Sequence, residues 1–413
     1  MCSYERVQLA IADFCGSLSA EDTVVIGLSG GVDSVVLTHA ISAYVSKQSL
    51  NLQLKTVYVN HGLQEQANSW QQFTEQFSLS LGLHFQAVSV SINAKNRQGL
   101  ESVARDKRYE ALFEECPEKG YLLTAHHRQD QVETVLLNLF RGTGIKGLLG
   151  MPESKLVSDK KNIHARPLLN TPLNAILDYA RHFDLNWVED PSNKETSFRR
   201  NFIRHDILPK IARGGYDVEL NISRMTNNLA EELSLLNELA EQDLLICSYT
   251  KLSLNISPLG GLSWARKRNV IRFWNDSIAL FNVKLTLKLY QWLENAFKIE
   301  NVNAHPSKLG KDFQIKVEKN TVYLLRELVG SYKIKLTDFE PLTFGFDEDV
   351  IFSVLKKYQG KERLVIRSLN EEEFADKQLK KKFKKEKVVF WNRKRWPVVC
   401  EGNNVLEVIG FKE

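Results

Sequence analysis

The sequence predicts an α/β protein: a Rossmann-like parallel sheet domain, then a helical domain, then a small α+β domain. Three observations predict it. Over the first ~215 residues short β-branched runs alternate with helix-like apolar spacing, which implies βαβ units and a parallel sheet. From about Gly214 to Lys298 the pattern changes to long amphipathic helices. Beyond Gly330 it becomes strand-like again, around a very basic segment. The divisions drawn from these shifts are 1–215, 216–330 and 331–413, and a chain of 413 residues is too long for one ordinary core.

The N-terminal stretch MCSYERVQLAIADFCGSL reads as an amphipathic helix, because Glu5, Arg6 and Asp13 interrupt the apolar run that a signal peptide needs. TVVIGL (23–28) is a strand ending in a Ser-Gly-Gly turn, and Val35, Val36, Leu37 and Ile41 set a helix over 33–47. LQLKTVYVN (52–60) and LHFQAVSV (83–90) are the next strands, with a helix over 100–113. YLLTAHH (121–127) is a fourth strand and QVETVLLNLF (131–140) the helix after it. Ligands of such sheets sit beyond the carboxyl ends of the strands. The polar clusters fall there: Ser29 to Ser34, Asn60-His61, and His126 to Glu133. Residues 228–245 and 284–296 are helical, while YKIKL, RLVIRSL and NNVLEVIGF are strand-like.

Hydrophobic residues make up 43% and charged residues 25%, the balance of a globular chain. No apolar run approaches the roughly 20 residues that cross a bilayer. Five scattered cysteines without a C-x-x-C pair support neither a disulfide framework nor a zinc or iron–sulfur site. Together these features point to a cytoplasmic protein. A net charge of +5 permits an anionic partner without demanding one, so the distribution of charge matters more than its sum.

The strongest chemical signal is SGGVDS, Ser29-Gly30-Gly31-Val32-Asp33-Ser34, between a strand and a helix. Gly30 and Gly31 let the backbone turn tightly and aim N–H groups outward. The helix presents its positive end to an anion, and Ser29 and Ser34 add hydroxyls. Asp33 alone would repel phosphate, so its carboxylate makes most sense as a ligand for Mg²⁺ bridging phosphate oxygens. No G-x-x-x-x-G-K-[ST] loop occurs.

This motif resembles the pyrophosphate (PP) loop of the N-type ATP pyrophosphatases, which cleave ATP to AMP and pyrophosphate. VYVNHGLQ, GLESVARDKRYEAL, LLTAHHRQDQVETVLLNLFRGTGIKGLLGM, RPLL and EDPSN followed by RRNFIRHDILP occur in this order. With LKKKFKKEKVVFWNRKRWPVV near the C-terminus, they resemble the tRNA(Ile)-lysidine synthetase family. The resemblance covers the whole N-terminal domain and resumes at the end; the middle is recognisable only as helical.

The resemblance implies a reaction. ATP activates oxygen-2 of the wobble cytidine of an isoleucine tRNA with anticodon CAU. An amine of free L-lysine then attacks carbon-2 and AMP leaves. It implies catalytic and Mg²⁺-binding roles for Asp33 and Asp130. Glu133, three residues after Asp130 and on the same helical face, is a candidate holder of the metal or the cationic lysine; the alternative is an exposed carboxylate at a helix start. Arg105 and Arg141 are candidates for phosphate or adenylate contacts, against the alternative of a solvated helix face. Arg200, Asn201 and Arg204 in RRNFIR match the family motif and are expected to contact ATP or the tRNA backbone. His61 and His127 are expected nucleotide or base contacts. The pair His126-His127 has no third ligand at zinc spacing. The family commonly shows two adjacent aspartates where this chain has Gln129 and Asp130; glutamine cannot neutralise Mg²⁺, so the first position is read as supportive.

The run from Lys377 to Arg395 interleaves cations with Phe383, Phe390, Trp391 and Trp396. Lys380, Lys381, Lys382, Lys384, Lys385, Arg393 and Arg395 are the expected tRNA-binding residues, with charge on phosphate and rings stacking or packing. Oligomeric state stays open, a homodimer among the alternatives. Another PP-loop adenylating enzyme, such as a tRNA thiolase, is the competing reading, disfavoured by the lack of paired cysteines. A glutamine-dependent amide synthetase is disfavoured because no glutaminase domain fits before the loop. An RNA-binding protein without catalysis would not need the loop, Asp130 and RRNFIR together.

Overall fold

The computed structural model describes residues 2–60, 62, 66–91, 97–157, 162–191, 199–279, 283–298, 306–309, 313–326, 333–335, 353–354, 356–358, 364–385, 393, 396–402 and 404–409. His61, Phe390, Trp391 and Arg395 lie outside the described residues. The chain divides into two compact units, 1–233 and 234–413.

The first unit is wound around strand β1 (Thr23–Gly27). Its central residues Val24, Val25 and Ile26 are wholly buried, because both faces of the sheet are covered. Val24 and Ile26 pack with helices α1 (Glu5–Cys15), α2 (Val32–Gln48) and α7 (Leu173–His182), through residues such as Ile11, Leu37 and Ile176. Val25 faces the other way, toward Ala111 and Leu112 of α4 (Arg97–Glu114). Each such side chain contributes roughly 1.5–3 kcal/mol by leaving water.

The remaining strands are β2 (Gln53–Asn60), β3 (His84–Ser89), β4 (Tyr121–Leu123), β5 (Ser154–Val157) and β6 (Asn162–Ala165), with helices α3 (Ala67–Ser80) and α5 (Arg128–Phe140) between them. Sheet order is β3-β2-β1-β4-β6-β5, parallel except for the β5–β6 pair. The order runs outward from β1 through β2 to β3, then resumes on the other side of β1 with β4. The switch point between β1 and β4 opens a crevice beyond their carboxyl ends. The fourth strand stops at Leu123, so Thr124 to His127 form a loop rather than the strand end read from the sequence.

In the second unit, α11 (Trp264–Ser277) and α12 (Leu287–Phe297) pack on a five-stranded sheet, with Trp274, Leu293, Val317 and Leu324 at its core. The sequence pattern showed the helices there; the sheet strands are only two to six residues long, too short to stand out as periodicity. A four-stranded antiparallel sheet includes Lys333–Lys335, Leu364–Ser368, Pro397–Glu401 and Asn404–Val408. The helix Lys377–Lys385 anchors to this sheet's core by Phe383, which packs edge-on against Trp396 at 5.7 Å. Lys380, Lys381, Lys382, Lys384 and Lys385 all stay exposed. Phe383 and Trp396 are therefore packing groups, not stacking surfaces.

Candidate active site

The crevice beyond β1 and β4 gathers two loops. After β1 the chain turns at Ser29-Gly30-Gly31 into α2. Gly30 has φ +88°, its carbonyl accepts from Val188 N at 3.0 Å, and a Cβ there would lie 2.7 Å from Val188 Cγ2. Only glycine meets both demands without strain. Ser34 Oγ donates to the Gly31 carbonyl at 2.9 Å and accepts from Ser29 N at 3.2 Å, which ties the loop to the first helical turn. Val32 opens that turn and Asp33 follows. Asp33 Oδ1 is buried with no hydrogen-bond partner. A buried carboxylate oxygen without a partner is costly unless a cation or donor completes it.

After β4, His127 caps α5 in an extended conformation. Its Nδ1 accepts from Gln129 N at 3.3 Å, while Asp130 Oδ2 accepts from His127 N at 3.0 Å. This reciprocal cap fixes Asp130. With Nδ1 accepting, the ring proton lies on Nε2, 3.8 Å from Asp33 Oδ2 and 3.6 Å from Asp130 Oδ2. His127 thus sits between the carboxylates of the two loops. Burial pushes the Asp33 carboxyl up, against the pull of His127. Burial also pushes on Asp130, but His127 and Arg200 outweigh it and hold that carboxyl below its ordinary value.

Glu133 lies one turn further along α5 and is fully buried, which excludes the exposed helix-start reading. Both of its oxygens are held. Arg200 Nε donates to Oε2 and Arg204 Nε to Oε1, each at 2.5 Å, and Arg204 Nη2 reaches Oε2 at 3.0 Å. The same guanidiniums meet Asp130 Oδ1 at 2.7 and 3.2 Å. Arg200 and Asn201 are on the short helix α8 (Arg199–Phe202), which runs into a π-helical turn, Ile203–Ile207, carrying Arg204. Such turns are frequent at functional sites. Gln129 Nε2 reaches Glu133 Oε1 at 3.5 Å, so the glutamine supports this cluster instead of facing Asp33.

Arg105 and Arg108 lie over the Tyr109 ring at 5.4 and 5.7 Å. Arg141 follows the last turn of α5, where it donates to Asn138 Oδ1. At 1.5 Å rise per residue it is about 16 Å along the helix from Asp130, so the structure does not bring it into the cluster. Sequence reasoning missed the neighbours of Tyr109. Arg166 and His164 are buried beside it, and Thr124 links His164 to His126. Arg166 opens the quoted RPLL segment and Thr124 lies in the quoted LLTAHH segment, so both could have been singled out; His164 belongs to no motif signal.

A PP-loop domain family model matches residues 3–211, and the class this fold and crevice define is that of the PP-loop ATP-binding proteins. Among curated relatives, the tRNA(Ile)-lysidine synthase of Hydrogenovibrio crunogenus is 38% identical over 99% of this chain and 98% of its own length. That of Coxiella burnetii is 32% identical over 96% and 91%. Among solved structures, the U34-tRNA thiolase NcsA of Methanococcus maripaludis matches 56% of this chain and 79% of its own, at 21% identity and a TM-score of 0.45. The chain belongs to the tRNA(Ile)-lysidine synthase family.

His164 yields a pH test. Burial, with Arg166 beside it, lowers its pKa to about 3 from an ordinary 6.5. The unfolded chain therefore binds a proton below pH 6.5 that the folded chain refuses until about pH 3, so stability falls as pH falls through that window. Between pH 7 and 5 this one group costs about 2 kcal/mol. Denaturant unfolding of His164→Gln at both pH values is expected to show a pH loss smaller by about that amount; an unchanged loss contradicts the assignment.

Proposed function

We propose that the protein joins L-lysine to carbon-2 of the wobble cytidine of a tRNA(Ile) with anticodon CAU, consuming ATP. Cytidine oxygen-2 attacks the α-phosphorus of ATP and pyrophosphate leaves. An amine of lysine then attacks carbon-2, loses a proton, and AMP departs with the former oxygen-2. The observation that carries this reading is the meeting of the SGGVDS loop with the Asp130 cap at one switch point, in a chain related along its whole length to tRNA(Ile)-lysidine synthases.

The loop Ser29 to Ser34, through its free backbone N–H groups at the start of α2 and its hydroxyls, binds the nucleotide's phosphates. Asp33 and Asp130 would hold Mg²⁺, and the unpartnered Asp33 Oδ1 fits a cation there. No group of three or more acidic, His or Cys side chains suited to a metal occurs among the described residues. That agrees with an ion completed by substrate oxygens and water, as Mg²⁺ usually is. The ion would supply charge neutralisation at the phosphates. His127 keeps the two carboxylates apart and oriented. Glu133, with both oxygens engaged, serves to fix Arg200 and Arg204 over the site. Those two guanidiniums, with Arg105, face the adenylyl phosphate or the tRNA backbone, and Asn201 and His61 complete the nucleotide contacts.

Lys380, Lys381, Lys382, Lys384 and Lys385, together with Arg393 and Arg395, form the tRNA docking surface. Contacts of this kind carry affinity without reading the anticodon.

Two outcomes test the proposal. ATP-dependent incorporation of radiolabelled lysine into a CAU tRNA(Ile) transcript is expected for the wild type, with a loss of at least 100-fold in Asp33→Asn and Asp130→Ala, on the scale of removing a key electrostatic group. No incorporation by a folded, ATP-binding wild type contradicts it. Replacing the five lysines by alanine is expected to flatten the dependence of log affinity on log salt by up to about 0.7–0.9 per lost phosphate contact. An unchanged slope removes this helix from the docking surface.

A further inference from the structure

A chain of polar groups runs through the first unit behind the catalytic carboxylates. Arg166 is buried, and its Nη2 lies 3.1 Å from His164 Nδ1. His164 Nε2 lies 2.9 Å from Thr124 Oγ1, and Thr124 Oγ1 lies 2.9 Å from His126 Nδ1. The direction of each bond follows from chemistry. A guanidinium only donates, so His164 Nδ1 accepts. His164 is neutral, since its pKa lies at about 3, and its one proton is on Nε2. It therefore donates to Thr124 Oγ1. The buried threonine hydroxyl has no other acceptor among the described residues, so its hydrogen goes to His126 Nδ1, which puts the His126 proton on Nε2.

Charge around His126 agrees. Burial, with Arg105, Arg166 and Arg200 nearby, keeps this ring neutral despite Asp130. Among the described residues its Nε2 makes no hydrogen bond, and His126 is only partly buried. Arg166 itself is anchored by Nη1 on the Pro152 carbonyl at 2.8 Å, and its own backbone N donates to Glu153 O at 2.7 Å. The start of the chain is thus held by backbone on both sides. Asp130, Arg105 and Arg200 are near enough to act on the charge of His126.

We propose that Arg166, His164 and Thr124 are positioning residues that lock His126 as a neutral Nε2–H donor to an anionic oxygen of the adenylyl group. Three groups that never touch substrate thereby set the tautomer of one that does. The assignment of the acceptor rests on the adenylation reading above; the locked tautomer does not. A neutral donor in a preset direction stabilises charge that develops during phosphoryl transfer, and it requires no reorganisation when that charge appears. A His126 ring free to change tautomer would present a lone pair to the same oxygen for part of the time and repel it.

Thr124→Val keeps the side-chain shape and removes the hydroxyl; Thr124→Ser restores it. In ¹⁵N-histidine-labelled protein, long-range ¹H–¹⁵N spectra of the wild type and of Thr124→Ser are expected to show His126 as the Nε2–H tautomer. Thr124→Val is expected to show tautomer exchange or a shift to Nδ1–H. The rate constant for lysine incorporation is expected to fall at least tenfold in Thr124→Val, with the ATP KM within threefold of wild type and the rate recovered in Thr124→Ser. An unchanged His126 tautomer in Thr124→Val overturns the relay. A changed tautomer with an unchanged rate overturns its role in the reaction. If the wild type incorporates no lysine, the functional reading fails, and the spectra alone decide whether the relay exists.

Discussion

Four side chains hold the site in its arrangement: Asp130 and Glu133 on α5 against Arg200 and Arg204 on the segment that follows it by about seventy residues in sequence. Glu133 is wholly buried, and an unpaired buried carboxylate is unfavourable by several kcal/mol. The two arginines supply five donor contacts to the pair of carboxylates. Removing either acid would leave guanidinium charge uncompensated in a partly buried setting. The clamp therefore does two things at once. It ties the segment carrying Arg200 and Arg204 to α5, and in the proposed reaction it presents their guanidiniums to the nucleotide's phosphates.

The clamp explains the division of labour between the two loops. Asp130 has its Oδ1 committed to arginine and its Oδ2 to the His127 backbone, whereas Asp33 keeps one oxygen without a partner. Two carboxylates related by a histidine thus differ in availability. Asp130 is engaged within the protein on both oxygens, and Asp33 Oδ1 is the oxygen left open for the cation of the proposed reaction. The glutamine at 129 also becomes intelligible, since it turns toward Glu133 and extends the clamp. A second carboxylate there would face an acid already fully buried.

Much of this was legible in the sequence, for physical reasons. The central strands β1, β2 and β4 carry buried runs, so they appear as continuous apolar stretches, and each is followed by a polar cluster. The glycines of the SGGVDS loop announce a backbone that only glycine adopts, and φ +88° at Gly30 bears this out. The spacing of Asp130 and Glu133 puts both on one helical face, and they share the same two arginines. The sequence was silent where contact depends on tertiary approach. Nothing in the run Asn162–Ala165 shows that His164 meets a threonine forty residues earlier. The aromatic interleaving of the basic C-terminal helix left stacking and packing both open; Phe383 is wholly buried, because an amphipathic helix docks by its apolar side. The short strands of the five-stranded sheet in the second unit gave no periodicity long enough to read, whereas YKIKL, RLVIRSL and NNVLEVIGF were legible and contain strands of the four-stranded sheet.

The central claim is that this crevice adenylates an RNA base before lysine is used. The most direct measurement supplies [α-³²P]ATP, Mg²⁺ and CAU tRNA(Ile) to the wild-type protein without lysine, then isolates the tRNA under acid conditions. The account predicts label on the tRNA, and release of that label as AMP when lysine is added. Pyrophosphate release without label on the tRNA, or label that lysine fails to discharge, would contradict it.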